Sequence, residues 1–225
     1  MVGHDAERVM TPLRILIVDD HAVVRRGVRA LLESQPGWEV AAEVTTGREA
    51  VEVAKRLQPD IVVMDLSLPE LNGLDATRQL LKESPRSEVL VLTMHHSEEL
   101  ARDVLQAGAR GYVLKSDADE NLVAAVESLR QHKPFLTSTV TEFVLDDYLR
   151  RGDEDPSLTR AGVTSRERQL IQLLAEGRSN KEAASALGIS IKTVEAHRAN
   201  LMRKLRLRSL SELVRYAIRN NIIEA

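Results

Sequence analysis

The sequence predicts an α/β fold, a five-stranded doubly wound parallel sheet, followed by a small all-α four-helix domain. Two observations lead to this fold class. Between residues 14 and 131, five short runs rich in Val, Ile and Leu alternate with segments of helical period, which is typical of β-α-β units with helices on both faces of a sheet. Beyond residue 160, helix-start signals follow one another without strand-like alternation, which favours a helical bundle.

Each element has its own signal in the chain. The strand-like runs are RILIVD, WEVAAEV, DIVVMD, EVLVLTM and GYVLK, and the helical segments begin near Ala22, Gly47, Gly73, Glu98 and Asp119. Four candidate capping boxes, in which a Ser or Thr precedes a Glu by three residues, begin at Thr46, Thr164, Ser179 and Ser209. The spatial strand order 2-1-3-4-5 is expected, because it is a common arrangement of five-stranded doubly wound sheets.

The bulk composition excludes several classes of protein. The 225 residues are 43% hydrophobic, which is enough for folded cores, and they include no cysteine. Disulfides, thiol catalysis and cysteine-bound metal are therefore excluded. No apolar run approaches the roughly 18 residues of a membrane span, and the first ten residues lack the pattern of a signal peptide. We therefore expect a soluble, cytoplasmic protein that does not bind membranes.

Charge is distributed unevenly along the chain. Residues 1–155 contain 28 acidic and 18 basic side chains, a net charge of -10, whereas residues 156–225 contain 6 and 13, a net charge of +7. A basic tail on an acidic module fits a nucleic-acid binder joined to a domain that does not bind nucleic acid. We predict an α/β domain over 13–131, a partly helical linker over 132–160 and a helical domain over 161–225.

Chemically active side chains stand at the ends of the predicted strands. Asp19 and Asp20 end the first run, Asp65 the third, Thr93 the fourth and Lys115 the fifth. With the expected strand order, these strand ends are neighbours at one edge of the sheet, where functional groups gather. Three carboxylates in one place repel one another, and Mg2+ is the hard cation that suits them. Asp65, on the central strand, is the candidate nucleophile towards a phosphoryl group.

The segments LIVDDH, VVMDLSLPELNGL, VLTMHHSEE and AGARGYVLK resemble, in order and spacing, the CheY-like receiver domain of bacterial two-component response regulators. The resemblance covers residues 13–131. It implies that Asp65 accepts a phosphoryl group from a sensor histidine kinase. It also implies that Asp20, Asp65 and the backbone carbonyl of Ser67 bind Mg2+, that Asp19 acts through water, and that Lys115 contacts the phosphoryl group.

The same resemblance implies a conformational switch. Thr93 would swing towards the phosphoryl group, and Tyr112 would then turn inward and reshape the face formed by the fourth and fifth helices. One loop departs from the family pattern, since this chain has LPELNG where the family often has MPGMDG. Pro69 and Gly73 are kept, so we expect the loop geometry to be kept as well.

The basic tail contains a helix-turn-helix pattern. Gly188 permits a left-handed helix end, and Ser190 can cap the next helix. On a helical wheel of that second helix, a mainly apolar stripe faces inward, formed by Ile191, Val194, Arg198, Leu201, Met202 and Leu205. The opposite face and its margins mix cationic, small and hydrogen-bonding side chains suited to the major groove: Lys192, Thr193, Glu195, Ala196, His197, Ala199, Asn200 and Arg203.

The segment from residue 164 to about 220, with GRSNKE and KTVEAHRANLMRKL, closely resembles the LuxR-type four-helix DNA-binding domain. The resemblance implies that the helix from Ile191 to Leu205 enters the major groove of promoter DNA. It also implies that the last helix, Ser209 to Asn220, contributes to dimer contacts. Together the two modules resemble a response regulator of the NarL/FixJ type.

We therefore expect a transcription factor that phosphorylation of Asp65 switches, with the unphosphorylated receiver hindering the DNA-reading helix and phosphorylation favouring a homodimer. Two alternatives stay open at this point. The receiver could serve only as a dimerisation platform in a regulator that needs no phosphorylation. A Mg2+-dependent phosphohydrolase is the enzymatic alternative, whereas the absence of a G-x-G-x-x-G segment after the first strand counts against a dehydrogenase.

Overall fold

The computed structural model describes residues 11–94, 98–137, 141, 163–220 and 222–223. The partly helical linker predicted over 132–160 lies mostly outside the described residues. Within the first domain the strands are β1 (Leu13–Val18), β2 (Trp38–Val44), β3 (Ile61–Met64), β4 (Glu88–Thr93), β5 (Gly111–Leu114) and β6 (Phe135–Leu136). Its helices are α1 (Ala22–Glu33), α2 (Gly47–Leu57), α3 (Gly73–Glu83), α4 (Glu98–Gln106) and α5 (Ala118–Arg130).

The sheet has the order β2-β1-β3-β4-β5-β6, and every neighbouring pair is parallel. The predicted order of the first five strands is confirmed. The prediction of five strands missed β6, a two-residue strand that pairs with β5 at the sheet edge. So short a segment, following a proline, carries no strand-like periodicity of its own, and only its pairing with β5 defines it.

Side chains of the central strands alternate between two apolar layers. Leu16, Val62 and Val91 belong to the layer under α2, α3 and α4, whereas Ile17 and Val63 belong to the layer under α1 and α5. All four residues of β3 (Ile61–Met64) are buried, as expected for a parallel strand covered on both faces. This double covering fixes the register that brings the ends of β1, β3, β4 and β5 to one edge.

The second domain is a bundle of four helices: α6 (Ser165–Ala175), α7 (Asn180–Leu187), α8 (Ile191–Lys204) and α9 (Leu210–Arg219). Its core is a third apolar cluster, separate from the two layers of the sheet, to which Ile171, Val194, Leu201 and Leu213 contribute. The predicted all-α class of this domain is confirmed.

The capping predictions hold at all four helix starts, but only two are complete boxes. Thr164 and Ser179 each accept from the third helical residue, whose glutamate accepts in return from the cap backbone. Thr46 and Ser209 also accept from the third helical residue. There, however, the glutamate accepts from the residue before the cap, Thr45 or Arg208, because the chain enters those helices at a different angle.

Candidate functional site

The acidic cluster forms at the carboxyl edge of the sheet, as the strand ends predicted. Lys115 Nζ lies 2.8 Å from Asp65 Oδ2 and 2.7 Å from Asp19 Oδ2. Asp19, Asp20, His21 and Asp65 each offer a ligand atom, and these atoms all lie within 4.8 Å of one another. The fold therefore brings together side chains that are up to about one hundred positions apart in the sequence.

Asp65 is the most enclosed carboxylate of the cluster. Its residue is 2% exposed, the backbone N–H of Leu66 donates to its Oδ1 at 2.7 Å, and Lys115 donates to its Oδ2. Burial raises the pKa of the Asp65 carboxyl, while Lys115 opposes the rise and Asp19 adds to it. Burial alone would lower the pKa of Lys115, but Asp65 and Asp19 outweigh this effect and raise it.

The donor set fits a hard divalent cation. Asp19 Oδ2 is buried and is paired with Lys115 Nζ at 2.7 Å. Three carboxylates whose ligand oxygens lie within 4.8 Å of one another, with one lysine between two of them, form the kind of acidic pocket that binds Mg2+. Asp20 is partly exposed, which leaves this side of the pocket open to solvent.

His21 is a member of the cluster that the sequence analysis missed. Its Nδ1 lies 2.7 Å from Asp20 Oδ1 and 3.4 Å from Asp19 Oδ1, and its side chain is half exposed. The only sequence signal was its position next to the two aspartates. Arg25, one turn into α1, donates to the backbone carbonyl of Asp19 at 2.7 Å and so helps to hold the end of β1.

The loop after β3 passes very close to Asp65. The backbone N–H of Gly73 donates to the carbonyl of Leu66 at 2.9 Å, and a Cβ at position 73 would lie 1.9 Å from the carbonyl oxygen of Asp65. Only glycine fits this approach. This close approach keeps the loop that contains Ser67 against the end of β3. The carbonyl of Ser67 is the predicted metal ligand.

Thr93 and Tyr112 both lie inside the domain. Thr93 is buried at the end of β4, where it is the strand partner of Leu114, the residue before Lys115. Tyr112 is 1% exposed and packs in the layer with Val91 and Leu114. Burial raises the pKa of the Tyr112 phenol to about 12. Tyr112 thus already occupies the inward position that the resemblance associates with the phosphorylated state.

The helix-turn-helix pattern is present in the second domain. Gly188 ends α7 in the left-handed conformation with φ 65°, and Ser190 accepts from the Thr193 N–H at 3.1 Å at the start of α8. The inward stripe is correct for Val194 and Leu201, which are buried. Ile191 was predicted to be buried but is 45% exposed, because it is the first residue of α8 and projects beyond the bundle.

The predicted DNA-facing side chains share one exposed face of α8. Arg203 donates to Asn200 Oδ1 at 2.8 Å, which links two members of this face. Thr193 is partly buried, and the other members are exposed: Lys192, Glu195, Ala196, His197, Ala199, Asn200 and Arg203. A helix that presents small and polar side chains to solvent can approach the floor of a DNA groove.

In the part of the chain that the structure describes, no helix is both long enough and apolar enough to span a bilayer.

A doubly wound sheet with an acidic pocket and a lysine at its carboxyl edge, joined to a helix-turn-helix bundle, defines a class of protein: a two-component response regulator with a DNA-binding domain. Residues 15–127 match the family described as "Response regulator receiver domain", and residues 161–217 match "Bacterial regulatory proteins, luxR family". The chain belongs to the LuxR-type response regulators.

The similar proteins cover between 61% and 94% of this chain. The oxygen regulatory protein NreC of Staphylococcus carnosus is 37% identical over 216 residues, covering 94% of this chain and all of that protein. A LuxR-family response regulator from Aurantimonas sp. SI85-9A1 is 36% identical with a TM-score of 0.58, covering 61% of this chain and 99% of that one. The structure of the RcsB response regulator in a complex with DNA is 25% identical with a TM-score of 0.58, and the match covers 91% of this chain and 97% of that one.

Proposed function

We propose that this response regulator is switched by transfer of a phosphoryl group from a sensor histidine kinase to Asp65, and that it then binds promoter DNA through α8. The observation that carries the proposal is the contact of Lys115 with both Asp65 and Asp19 at the edge of the sheet. A cation fixed between two buried carboxylates is suited to a site where negative charge increases during the reaction. We also propose that the receiver domain ends at residue 131, that the DNA-binding domain begins at residue 161, and that the protein is located in the cytoplasm.

In the proposed reaction, one carboxylate oxygen of Asp65 attacks the phosphorus of a phosphohistidine. The new O–P bond forms as the P–N bond breaks, and the histidine leaves with the electron pair of that bond. Lys115 would then contact a phosphoryl oxygen, and Leu66 N–H would continue to orient the other oxygen of Asp65. Asp20, Asp65 and the Ser67 carbonyl would hold Mg2+, with Asp19 acting through water; the ion supplies positive charge to the phosphoryl oxygens.

The exposed face of α8 is the proposed DNA reader. Lys192 and Arg203 are exposed cations that can reach phosphates or guanine, and Ala196 and Ala199 leave room for a close approach to bases. We propose that phosphorylation favours a homodimer whose two α8 helices meet half-sites about one DNA turn apart.

The expected hindrance of α8 is not a direct covering of its reading face. The outward side chains of α8 are exposed, while the receiver contacts the helical domain at other elements. Arg48 of α2 donates to the carbonyl of Ala186 in α7 at 2.7 Å, and Asp103 of α4 pairs with Arg168 of α6 at 3.8 Å. We therefore propose that the receiver restrains the orientation of the DNA-binding domain, and so the pairing of two α8 helices, instead of covering one helix.

Treatment of the protein with an acyl phosphate and Mg2+ tests the proposal. We expect the wild type to gain one phosphoryl group by mass spectrometry, to increase in solution mass and to bind promoter DNA more tightly. Asp65→Asn should do none of these, while Asp60→Asn, at the opposite end of β3, should behave as the wild type. Unchanged mass, assembly and DNA affinity in the treated wild type would contradict the proposal. An Asp65→Asn variant with full promoter output would favour the phosphorylation-independent alternative.

A further inference from the structure

The side chain of Gln172, on α6 of the DNA-binding domain, is bonded to the loop that follows Asp65 in the receiver. We call residues 66–72 the acceptor loop. Gln172 Nε2 donates to the carbonyl of Leu68 at 2.8 Å, and Gln172 Oε1 accepts from the backbone N–H of Asn72 at 2.9 Å. Gln172 is 1% exposed and Asn72 is buried as well. A single amide thus bonds both ends of a five-residue segment across the contact between the domains.

The hydrogen bonds of this amide are fully used. Besides Leu68, Gln172 Nε2 donates to Glu176 Oε1 at 2.8 Å, and besides the backbone of Asn72, Gln172 Oε1 lies 3.3 Å from Asn72 Nδ2. If the amide is removed while the domains stay docked, the Leu68 carbonyl and the Asn72 N–H lose these partners. A buried polar group without a partner is costly, so Gln172 stabilises this conformation of the acceptor loop in the docked form.

The loop also contains a strained residue that the docked domain supports. Glu70 stands where the family pattern often has glycine, and its φ of 66° lies in the left-handed region, which is unfavourable for a side chain larger than glycine. Burial raises the pKa of the Glu176 carboxyl on α6, and the backbone N–H of Glu70 opposes this rise, while the Glu70 carboxylate lies 3.7 Å from Arg48 Nε. Strain of this kind persists only where the surroundings impose the conformation.

The acceptor loop is the segment that the phosphorylation site uses. The Ser67 carbonyl, the proposed metal ligand, is one residue from the carbonyl that Gln172 holds. Asp65 itself is 2% exposed, so the conformation of its surroundings controls how a phosphodonor reaches its carboxylate. The acceptor loop is directly attached to Asp65 and is tied to the other domain.

We infer that Gln172 is a positioning residue for the phosphorylation site: by bonding the acceptor loop, which carries Ser67, it holds the loop in its present conformation while the DNA-binding domain is docked. This inference rests on the proposed function and extends it to a residue outside the receiver. Phosphorylation of Asp65 and release of α6 are then coupled. Since coupling between two equilibria is reciprocal, release of α6 favours the phosphorylated state by the same free energy by which phosphorylation favours release.

The test compares Gln172→Met with Gln169→Met in the full-length protein. Methionine keeps the length of the side chain and removes its hydrogen bonds. Gln169 is the matched control, because it is 8% exposed on the same helix and accepts from Arg166 of its own domain. We expect Gln172→Met to raise the rate of Asp65 phosphorylation by an acyl phosphate about tenfold, the factor that corresponds to about 1.4 kcal/mol, which is within the net value of one or two hydrogen bonds. Gln169→Met should react at the wild-type rate.

Hydrogen exchange supplies a second readout that does not depend on phosphorylation. The amides of Leu66 and Gly73, which Gln172 does not contact, should exchange faster in Gln172→Met than in Gln169→Met, while both variants keep the thermal unfolding of the helical domain. Equal exchange and equal phosphorylation rates in the two variants would overturn the inference and leave the proposed function intact. If the wild type is not phosphorylated at all, the proposed function fails, and the exchange measurement still decides whether Gln172 orders the acceptor loop.

Discussion

Replacement of Lys115 by methionine tests the electrostatic basis of the acidic cluster. The variant keeps the length of the side chain but removes the only cation that bridges Asp19 and Asp65 among the described residues. Ligand oxygens of these carboxylates lie within 4.8 Å of each other, and two unit charges at that distance repel by about 3.5 kcal/mol at an effective dielectric constant of about 20. Removal of one partner from a buried ion pair costs about 3–5 kcal/mol in general.

We therefore expect the free energy of unfolding of the receiver to fall by about 3 kcal/mol in Lys115→Met without Mg2+. Urea unfolding followed by the fluorescence of Trp38 measures this quantity, because Trp38 is the single tryptophan of the chain and packs against the receiver core. Saturating Mg2+ should recover more stability in the variant than in the wild type, since the ion supplies the charge that Lys115 provided.

Lys55→Met is the matched control for this experiment. Lys55 pairs with Glu83 at 3.0 Å, but both side chains are exposed, so its replacement should change the stability little. The reasoning is refuted if Lys115→Met is as stable as Lys55→Met, or if Mg2+ stabilises the wild type and Lys115→Met equally.

Three further predictions concern the loop, the nucleophile and the second domain. Gly73→Ala places a Cβ 1.9 Å from the Asp65 carbonyl oxygen and should cost about 1–3 kcal/mol; an unchanged Trp38 melting curve would contradict this. Burial raises the pKa of Asp65 in the folded protein. The protonated Asp65 carboxyl therefore stabilises the folded state below about pH 4, and this stabilisation is lost as the pH rises through the raised pKa. The stability of Asp65→Asn relative to wild type should therefore increase from about pH 4 to pH 7 in urea titrations. Thr164→Ala removes a capping box and should lower the stability of the helical domain by about 1 kcal/mol, measured by circular dichroism; equal melting of both proteins would argue against it.

Because the proposed DNA-reading face of α8 is exposed, regulation does not have to uncover this helix. A covered helix would need uncovering, whereas the exposed face of α8 is available in the docked form. In the proposed function, phosphorylation acts mainly on the pairing of two DNA-binding domains, and the contacts made by Arg48, Asp103 and Gln172 are the proposed restraints on that pairing. A monomer would bind a single half-site weakly in either state, and the gain in affinity would come from the second half-site.

The sequence by itself determined the order of the elements and the edge of the sheet at which the site forms. Alternation of apolar runs with helical segments leaves few topologies, because crossover connections between parallel strands are right-handed. Asp19, Asp65 and Lys115 follow their strands directly, so their convergence follows from the strand order alone. The starts of α6 and α7 were equally predictable, because a capping box is a local interaction within four residues.

Only the tertiary structure decided the contacts that join distant segments. Gln172 meets Asn72 across one hundred positions, and nothing in the residues around either one marks them as partners. The inward position of Tyr112 depends on how β4, β5 and α4 pack together, and the exposure of Ile191 depends on where the bundle ends. Local periodicity specifies which face of an element is apolar, but the partner of that face is selected by the packing of the whole chain.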